Sequence, residues 1–477
     1  MKKNALFLAV FICIALIMLS RPIVADPVDR PTALSIACAR LLSNSESASF
    51  SVKTIELIHG SAGSPLFYYV HLNPDGFMII PANDDLPPVI AYGFSETNSH
   101  KEEFIRFVTN DLEQRTRCIG SLPSTIIGKR HKSWENYLSS KPGQPGFQQW
   151  PEPGSTSTGG WLETNWTQDY PYNTLCPLDP LNGNRSIAGC PAVAMSMIVN
   201  FHQTTNQVVF TDADDYHHQY AGRNYWIDDD YQTIDFPSFP MLNVYLDTLM
   251  AHYLTSQPLT KNDKGAIVFA CGVAARQVYT SSGSGTFGVD QAFDAYQKFN
   301  FSAASLLTDS DTSLYTHIAQ NIMDTLPVHL AVVDQGWTMG HNVVVDGYNT
   351  DNYFHLNFGW GGGYNGWYLL PDEIPYGLTV IEGVIVDIIP DFPTDYLTQG
   401  PDNFSIYPNP TRGQAMLSTA LKQVATLTVY SLSGIQVLQT TLPEGSSTFD
   451  FSALTPGVYL VTVSNQGTTI RSKLIRL

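Results

Sequence analysis

The sequence predicts an α+β protein with an all-β end, and three observations lead there. Residues 189–199, beginning Gly189-Cys190-Pro191-Ala192-Val193-Ala194, are apolar almost all round and read as a buried helix. Residues 328–333, 343–345 and 353–358 are short apolar or alternating runs separated by loop residues, the pattern of strands in a sheet. From residue 400 onward, short alternating strands recur between turn signals such as Ser433-Gly434 and Asn465-Gln466-Gly467, as in a small β-sandwich.

The elements follow in order from the N-terminus. Lys2-Lys3 precede an apolar run of 15 residues, 5–19, and Ile23-Val24-Ala25 supplies small residues for a cut. That run is short for a membrane span, so residues 1–25 are expected to be a signal peptide and the mature chain to have no membrane span. Cys13 lies within the apolar run, with no small residue before it that would mark a lipid anchor. Residues 26–150 contain strand-like 67–70, 76–81 and 87–92, and nothing there looks catalytic. A Pro- and Gly-rich linker, 141–160, separates this α+β segment from a central region, 151–392. A second linker, 390–401, leads to the sandwich, 400–477.

Composition bounds the function. At 477 residues the chain is long enough for about three domains. A net charge of −18 argues against nucleic acid and anionic membrane surfaces as partners. Five cysteines remain after signal removal. With Cys190 free, Cys38 and Cys118 precede the central region and Cys176 and Cys271 lie within it. One disulfide in each is open, and sequence does not fix connectivity.

The chemistry centres on Cys190 and His341. A thiol becomes a strong nucleophile only as a thiolate, which a helix N-terminus and a neighbouring imidazole both favour. A buried core cysteine would need neither Gly189, which permits a sharp turn, nor Pro191, which suits the first helical position. His341 follows about 150 residues later, behind Gly340 at the edge of a strand. The imidazole needs an orienting partner, and Asn357, on the next strand-like segment, is the candidate. Trp360, in a glycine-rich loop, can roof that pair. Gln168 offers a side-chain NH₂ for an oxyanion, and the Cys190 backbone N–H offers a second donor. His355 and His202 read as core residues. A metal site on Cys190, Cys271 and the histidines lacks C-x-x-C or His-x-x-x-His spacing, so no metal or cofactor is expected.

The order Gln168, Cys190, His341, Asn357 resembles the papain superfamily, and the local wording resembles its streptopain branch of secreted bacterial cysteine proteases. The matching pieces are Asn165-Trp166-Thr167-Gln168, Gly189-Cys190-Pro191-Ala192, Gly340-His341-Asn342-Val343-Val344-Val345-Asp346-Gly347 and His355-Leu356-Asn357-Phe358-Gly359-Trp360-Gly361-Gly362. Cys271-Gly272-Val273-Ala274 and Ser281-Ser282-Gly283-Ser284-Gly285 also fit. One departure is Phe358, where the family usually has tryptophan.

Over residues 60–390 the resemblance implies a papain-like domain, with a central helix against an antiparallel, barrel-like sheet. It implies an endopeptidase with Cys190 as nucleophile, His341 as base and then acid, and Gln168 at the oxyanion. Residues 26–150 resemble the streptopain propeptide, which implies an intramolecular inhibitor covering the cleft. Tyr407-Pro408-Asn409-Pro410, residues 429–434, residues 454–459 and Lys473-Leu474-Ile475-Arg476 resemble the C-terminal sorting domain of type IX secretion substrates. The implied partners are protein or peptide substrates and the secretion machinery. The implied location is outside the cell or on its surface, reached through the periplasm. A non-catalytic, protease-like binding or adhesion protein remains open, as does a transglutaminase or amidase using the same triad.

Overall fold

The computed structural model describes residues 27–42, 49–139, 147–255, 257–308, 310–334, 336, 340–371, 381–391, 404–409, 411–419, 424–431, 436–445, 447–454, 457–465 and 468–476. The expected signal peptide and most of the second linker lie outside these. The chain divides into two units, residues 1–94 with 105–145, and residues 95–104 with 146–477.

Four antiparallel strands, β1 (Ser51–His59), β2 (Pro65–Asn73), β3 (Phe77–Pro81) and β4 (Ala91–Gly93), make a meander in the first unit. Phe67, Tyr69, Val70, Met78 and Ile79 are fully buried in β2 and β3. Helix α1 (Arg30–Leu42) packs on β1 and β3. A second helix, α2 (Lys101–Cys118), has its first turn among the residues grouped with the other unit. Helix α3 (Ser124–Ser139) packs on α1. Trp134 Nε1 donates to the Leu86 carbonyl at 2.7 Å, giving a buried indole its hydrogen bond.

The second unit is built on an antiparallel sheet. Its strands are β5 (Gln149–Trp150), β8 (Ser305–Leu307), β9 (Val328–Val333), β10 (Gly340–Asn349), β11 (Tyr353–Asn357), β12 (Gly366–Leu369) and β13 (Ile381–Val386). The order is β12-β11-β10-β9-β13-β8, with β5 paired to the far end of β10. A separate hairpin joins β6 (Tyr216–Tyr220) to β7 (Arg223–Ile227). Against the sheet lies α4 (Cys190–Phe201), packed between β10 and the long helices that follow it. Of the helices that follow, α5 (Tyr231–Ile234) is a single turn, α6 (Phe239–Leu254) packs on α7 (Lys261–Ala274), α7 and α8 (Val289–Lys298) pack on α4, and α9 (Leu314–Met323) packs on the sheet. Helix α4 is buried on all sides from Pro191 to Val199, as its composition requires. Its core neighbours include Ala266, Phe269, Ala270, Ala331 and Val344. Each large apolar side chain buried this way contributes about 1.5–3 kcal/mol. The expected α+β architecture, with a central helix on an antiparallel sheet, is the one observed. The helix opens at Cys190, and Pro191, expected at the first helical position, is its second residue.

The C-terminal strands form two sheets. One has the order β14 (Phe404–Tyr407), β15 (Gln414–Thr419), β18 (Ser447–Asp450). The other has the order β17 (Gln436–Leu442), β16 (Ala425–Ser431), β19 (Gly457–Asn465), β20 (Thr468–Arg476). Leu417 from one sheet and Leu427, Val429, Val461 and Leu474 from the other share a single apolar core, so the expected sandwich is present. Cys38, Cys118, Cys176, Cys190 and Cys271 all carry free thiols, so neither candidate disulfide is formed. No helix among the described residues is long and apolar enough to cross a membrane.

Candidate active site

The nucleophile's position starts with Gly189. Its φ of 85° lies in the left-handed region that favours glycine. A Cβ there would stand 2.8 Å from Gln277 Oε1 and 3.1 Å from the Ser284 carbonyl. The turn therefore fits only because nothing projects from it. It is braced by main-chain and amide bonds: Gln277 Nε2 donates to the Ala188 carbonyl at 2.7 Å, and Ile187 N–H to the Thr280 carbonyl at 3.1 Å. Asp179 fastens the same loop. It accepts from Ser281 N–H at 2.9 Å and Ser281 Oγ at 2.8 Å while holding Arg223 through two bonds, of 2.9 and 2.6 Å. Burial alone would raise the Asp179 pKa, but the bonds from Arg223, Ser281 and Leu181 hold it well below the usual carboxylate range.

Gln168 is half-buried, and its carbonyl accepts from Ala188 N–H at 2.8 Å, so its segment is clamped two residues from Cys190. The same segment is tied to the glycine-rich loop after β11. Gly361 N–H donates to the Trp166 carbonyl at 2.9 Å, and Asn357 Nδ2 to the Thr164 carbonyl at 2.9 Å. Asn357 Oδ1 accepts from Gly359 N–H at 3.1 Å, which steadies the left-handed turn at Gly359.

Strand β10 carries His341 and Asn342 to the start of α4. Asn342 Nδ2 lies 4.0 Å from Cys190 Sγ. His341 is buried, and its Nε2 donates to the Phe358 carbonyl at 2.9 Å. That bond settles the tautomer: the proton sits on Nε2 and the lone pair on Nδ1, the nitrogen available to accept a proton. The acceptor at Nε2 is thus the main chain one residue beyond Asn357, which differs from the side-chain contact expected of Asn357. The Asn357 amide instead holds the chain on either side of that carbonyl. Trp360 lies over the imidazole, with ring centroids 4.7 Å apart and the planes tilted by 30°.

Residues 95–104 complete the arrangement. His100 stacks on Trp360 at 4.8 Å and an interplanar angle of 3°. The indole is therefore covered by one imidazole and itself covers another. Phe104 stacks on Tyr364 at 4.2 Å, and Tyr364 Oη donates to the Thr97 carbonyl at 2.7 Å. The electrostatics are those of a resting site. Burial pushes the Cys190 thiol up to about 11, against the main-chain and side-chain donors of Asn342, and Glu103 pushes it further up. Burial pushes His341 down to about 4, with the Glu103 charge and the Phe358 bond acting the other way. Both shifts favour the neutral thiol and the neutral imidazole over the charged pair.

His355 accepts its core reading: it is buried and bonded to Asp346 at 2.6 Å. Among the described residues, the one group close enough to share a metal ion is Asp84, Asp85 and His131, in the first unit. Sequence reasoning missed Asn342, Glu103, His100 and the Asp179–Arg223 pair. Asn342 was readable in one respect, since a polar amide beside His341 interrupts an otherwise apolar strand.

Residues 166–368 match the model of the Peptidase C10 family, and residues 405–476 that of a secretion system C-terminal sorting domain. The centre of the chain is a Peptidase C10 domain. Cys190, His341 and Asn357 all fall within it. The thiol protease/hemagglutinin PrtT of Porphyromonas gingivalis is 24% identical over 319 residues, 61% of this chain and 32% of that protein. The chain therefore spans about a third of that relative's length. Streptopain of Streptococcus pyogenes is 23% identical over 342 residues, 66% of this chain and 76% of streptopain. Among solved structures, a prointerpain A fragment of Prevotella intermedia aligns with a TM-score of 0.46 and 19% identity, covering 72% of this chain and all of that one. The sorting domain that follows the Peptidase C10 domain marks the chain as exported.

Proposed function

We propose that the chain is a secreted cysteine endopeptidase made as a latent precursor. The observation that carries this reading is a thiol at the first residue of a buried helix, beside a strand that bears a neutral imidazole with its Nε2 proton fixed. In the working state His341 Nδ1 takes the proton from Cys190, and the thiolate attacks the scissile carbonyl carbon. The carbonyl's π electrons move to oxygen, where the Cys190 N–H and the Gln168 amide meet the charge. The C–N bond then breaks as His341 returns its proton to the leaving amine. Water, deprotonated by the same nitrogen, hydrolyses the thioester and frees Cys190.

Latency is supported by residues 95–104, which stack His100 on the Trp360 indole that lies over His341 and bring Glu103 within electrostatic reach of both reacting groups. Their removal exposes the site to water and withdraws a charge that disfavours the thiolate. The C-terminal sandwich serves export through a type IX route, as its resemblance implies.

The test uses casein with the full-length chain and with chain processed within 141–160. Processed protein should digest casein and lose that activity to a thiol alkylator, while the precursor should not digest it. Isolated residues 26–150 should inhibit in trans. Casein cleavage that survives Cys190→Ala would end this reading.

A further inference from the structure

Behind the thiol runs a line of polar groups, fully buried at Tyr296 and His329 and half-buried at Asn342, that the proton transfer does not use. Tyr296, on α8, is fully buried, and its Oη lies 3.2 Å from His329 Nδ1. His329, on β9, is also fully buried, and its Nε2 lies 2.7 Å from Asn342 Oδ1. Asn342 Nδ2 then reaches Cys190 Sγ at 4.0 Å. The strand register explains how they meet. Val344 pairs with His329 and Asn342 with Ala331, so Asn342 and His329 are diagonal neighbours on one face of the β9–β10 ladder.

The direction of each bond follows from chemistry. An amide oxygen has no hydrogen, so His329 Nε2 must donate to Asn342 Oδ1. Its proton is then on Nε2, so Nδ1 accepts and Tyr296 Oη donates. Burial holds His329 down to about 4, with the Asn342 bond opposing, so it stays neutral through the neutral range. Every donor in the line therefore points toward the sulfur. With its oxygen engaged by His329, the Asn342 amide can present only N–H to Cys190.

We propose that Asn342 is a third donor at the nucleophile, stabilising the thiolate, and that His329 and Tyr296 are positioning residues that fix the direction of its amide. This rests on Cys190 being the nucleophile, but it concerns the thiol's own acidity and can be read without any peptide substrate. The other groups that bear on this sulfur are the main-chain N–H groups of Asn342 and Cys190, which favour the thiolate, and Glu103, which opposes it; His341 is the neighbour of Asn342 on β10.

The experiment is the pH dependence of iodoacetamide alkylation at Cys190 in the full chain, followed by the mass of its peptide so that the other thiols do not interfere. Asn342→Leu keeps the volume and removes the donor. It should raise the midpoint by about one pH unit and slow alkylation at pH 7 by about 10-fold, the scale of one hydrogen bond to a charged group. Tyr296→Phe, which keeps the ring, should move the midpoint the same way by less. His329→Phe should behave like Asn342→Leu, and His329→Gln, which restores an N–H for Asn342 Oδ1, should recover most of the loss. An unmoved midpoint in Asn342→Leu overturns the proposal. So does a His329→Phe variant that matches the parent, which would make the line a packing feature. Casein digestion, followed in parallel, separates this outcome from the peptidase reading: a shifted midpoint in a chain that cuts nothing would keep the donor and discard the protease.

Discussion

The Peptidase C10 domain and the C-terminal sandwich bury their interiors differently. The sandwich core is aliphatic and aromatic, Leu417, Leu427, Val429, Phe451, Val461 and Leu474, and its strands are held by main-chain ladders. The peptidase domain buries Asp179, Arg223, His329, Asp346 and His355 in paired networks, with half-buried Asn342 joined to His329. A polar group taken from water needs a partner, so each of these fixes a direction as well as a position. The sandwich has only to keep a shape, whereas the peptidase domain has to aim particular atoms.

Four substitutions can break or sharpen that contrast. Cys190→Ala should reduce casein digestion to background and leave the precursor at full length on a gel. Gln168→Ala should lower kcat by about 10²–10³-fold with the fold unchanged by circular dichroism, the cost of one oxyanion donor. Asp179→Ala leaves Arg223 buried without its carboxylate and should destabilise the domain by about 3–5 kcal/mol in urea unfolding. Because the Asp179 pKa is depressed in the fold, its contribution should be present above about pH 4, the unfolded value, and fade as pH falls below it. A parent domain whose stability is flat from pH 5 to pH 2 would contradict this. Leu427→Ala should cost about 2–5 kcal/mol in the sandwich alone, with the casein rate of processed enzyme unaffected. If that rate falls, the two regions are not independent.

The same contrast explains what was legible. Apolar periodicity revealed α4, β9, β10 and the sandwich strands, because burial leaves a direct mark on composition. Cys190, Gly189 and His341 were readable because a sharp turn before a helix and a glycine before an edge histidine are local signals. Asp179 and Arg223 are 44 positions apart, and neither residue's neighbours announce a partner. His100 and Glu103 lie in a segment that carries no motif, and only the folded chain brings them to Trp360 and Cys190. Asn357 was singled out for a bond to the imidazole. The neighbouring carbonyl takes that bond because a main-chain oxygen at the Gly359 turn is already aimed inward.

The path of residues 95–104 has a consequence for kinetics. The chain leaves the first unit at Phe94 and returns to it at Ile105, so these ten residues are a loop anchored at both ends rather than a tail. A single cut within 141–160 severs the covalent link yet leaves the loop attached to its own folded support. Under the latency proposed above, cleavage would turn an intramolecular contact of high effective molarity into an ordinary dissociation equilibrium. Nicked protein should accordingly gain activity on dilution, with a lag that shortens when a second cut destroys the anchor.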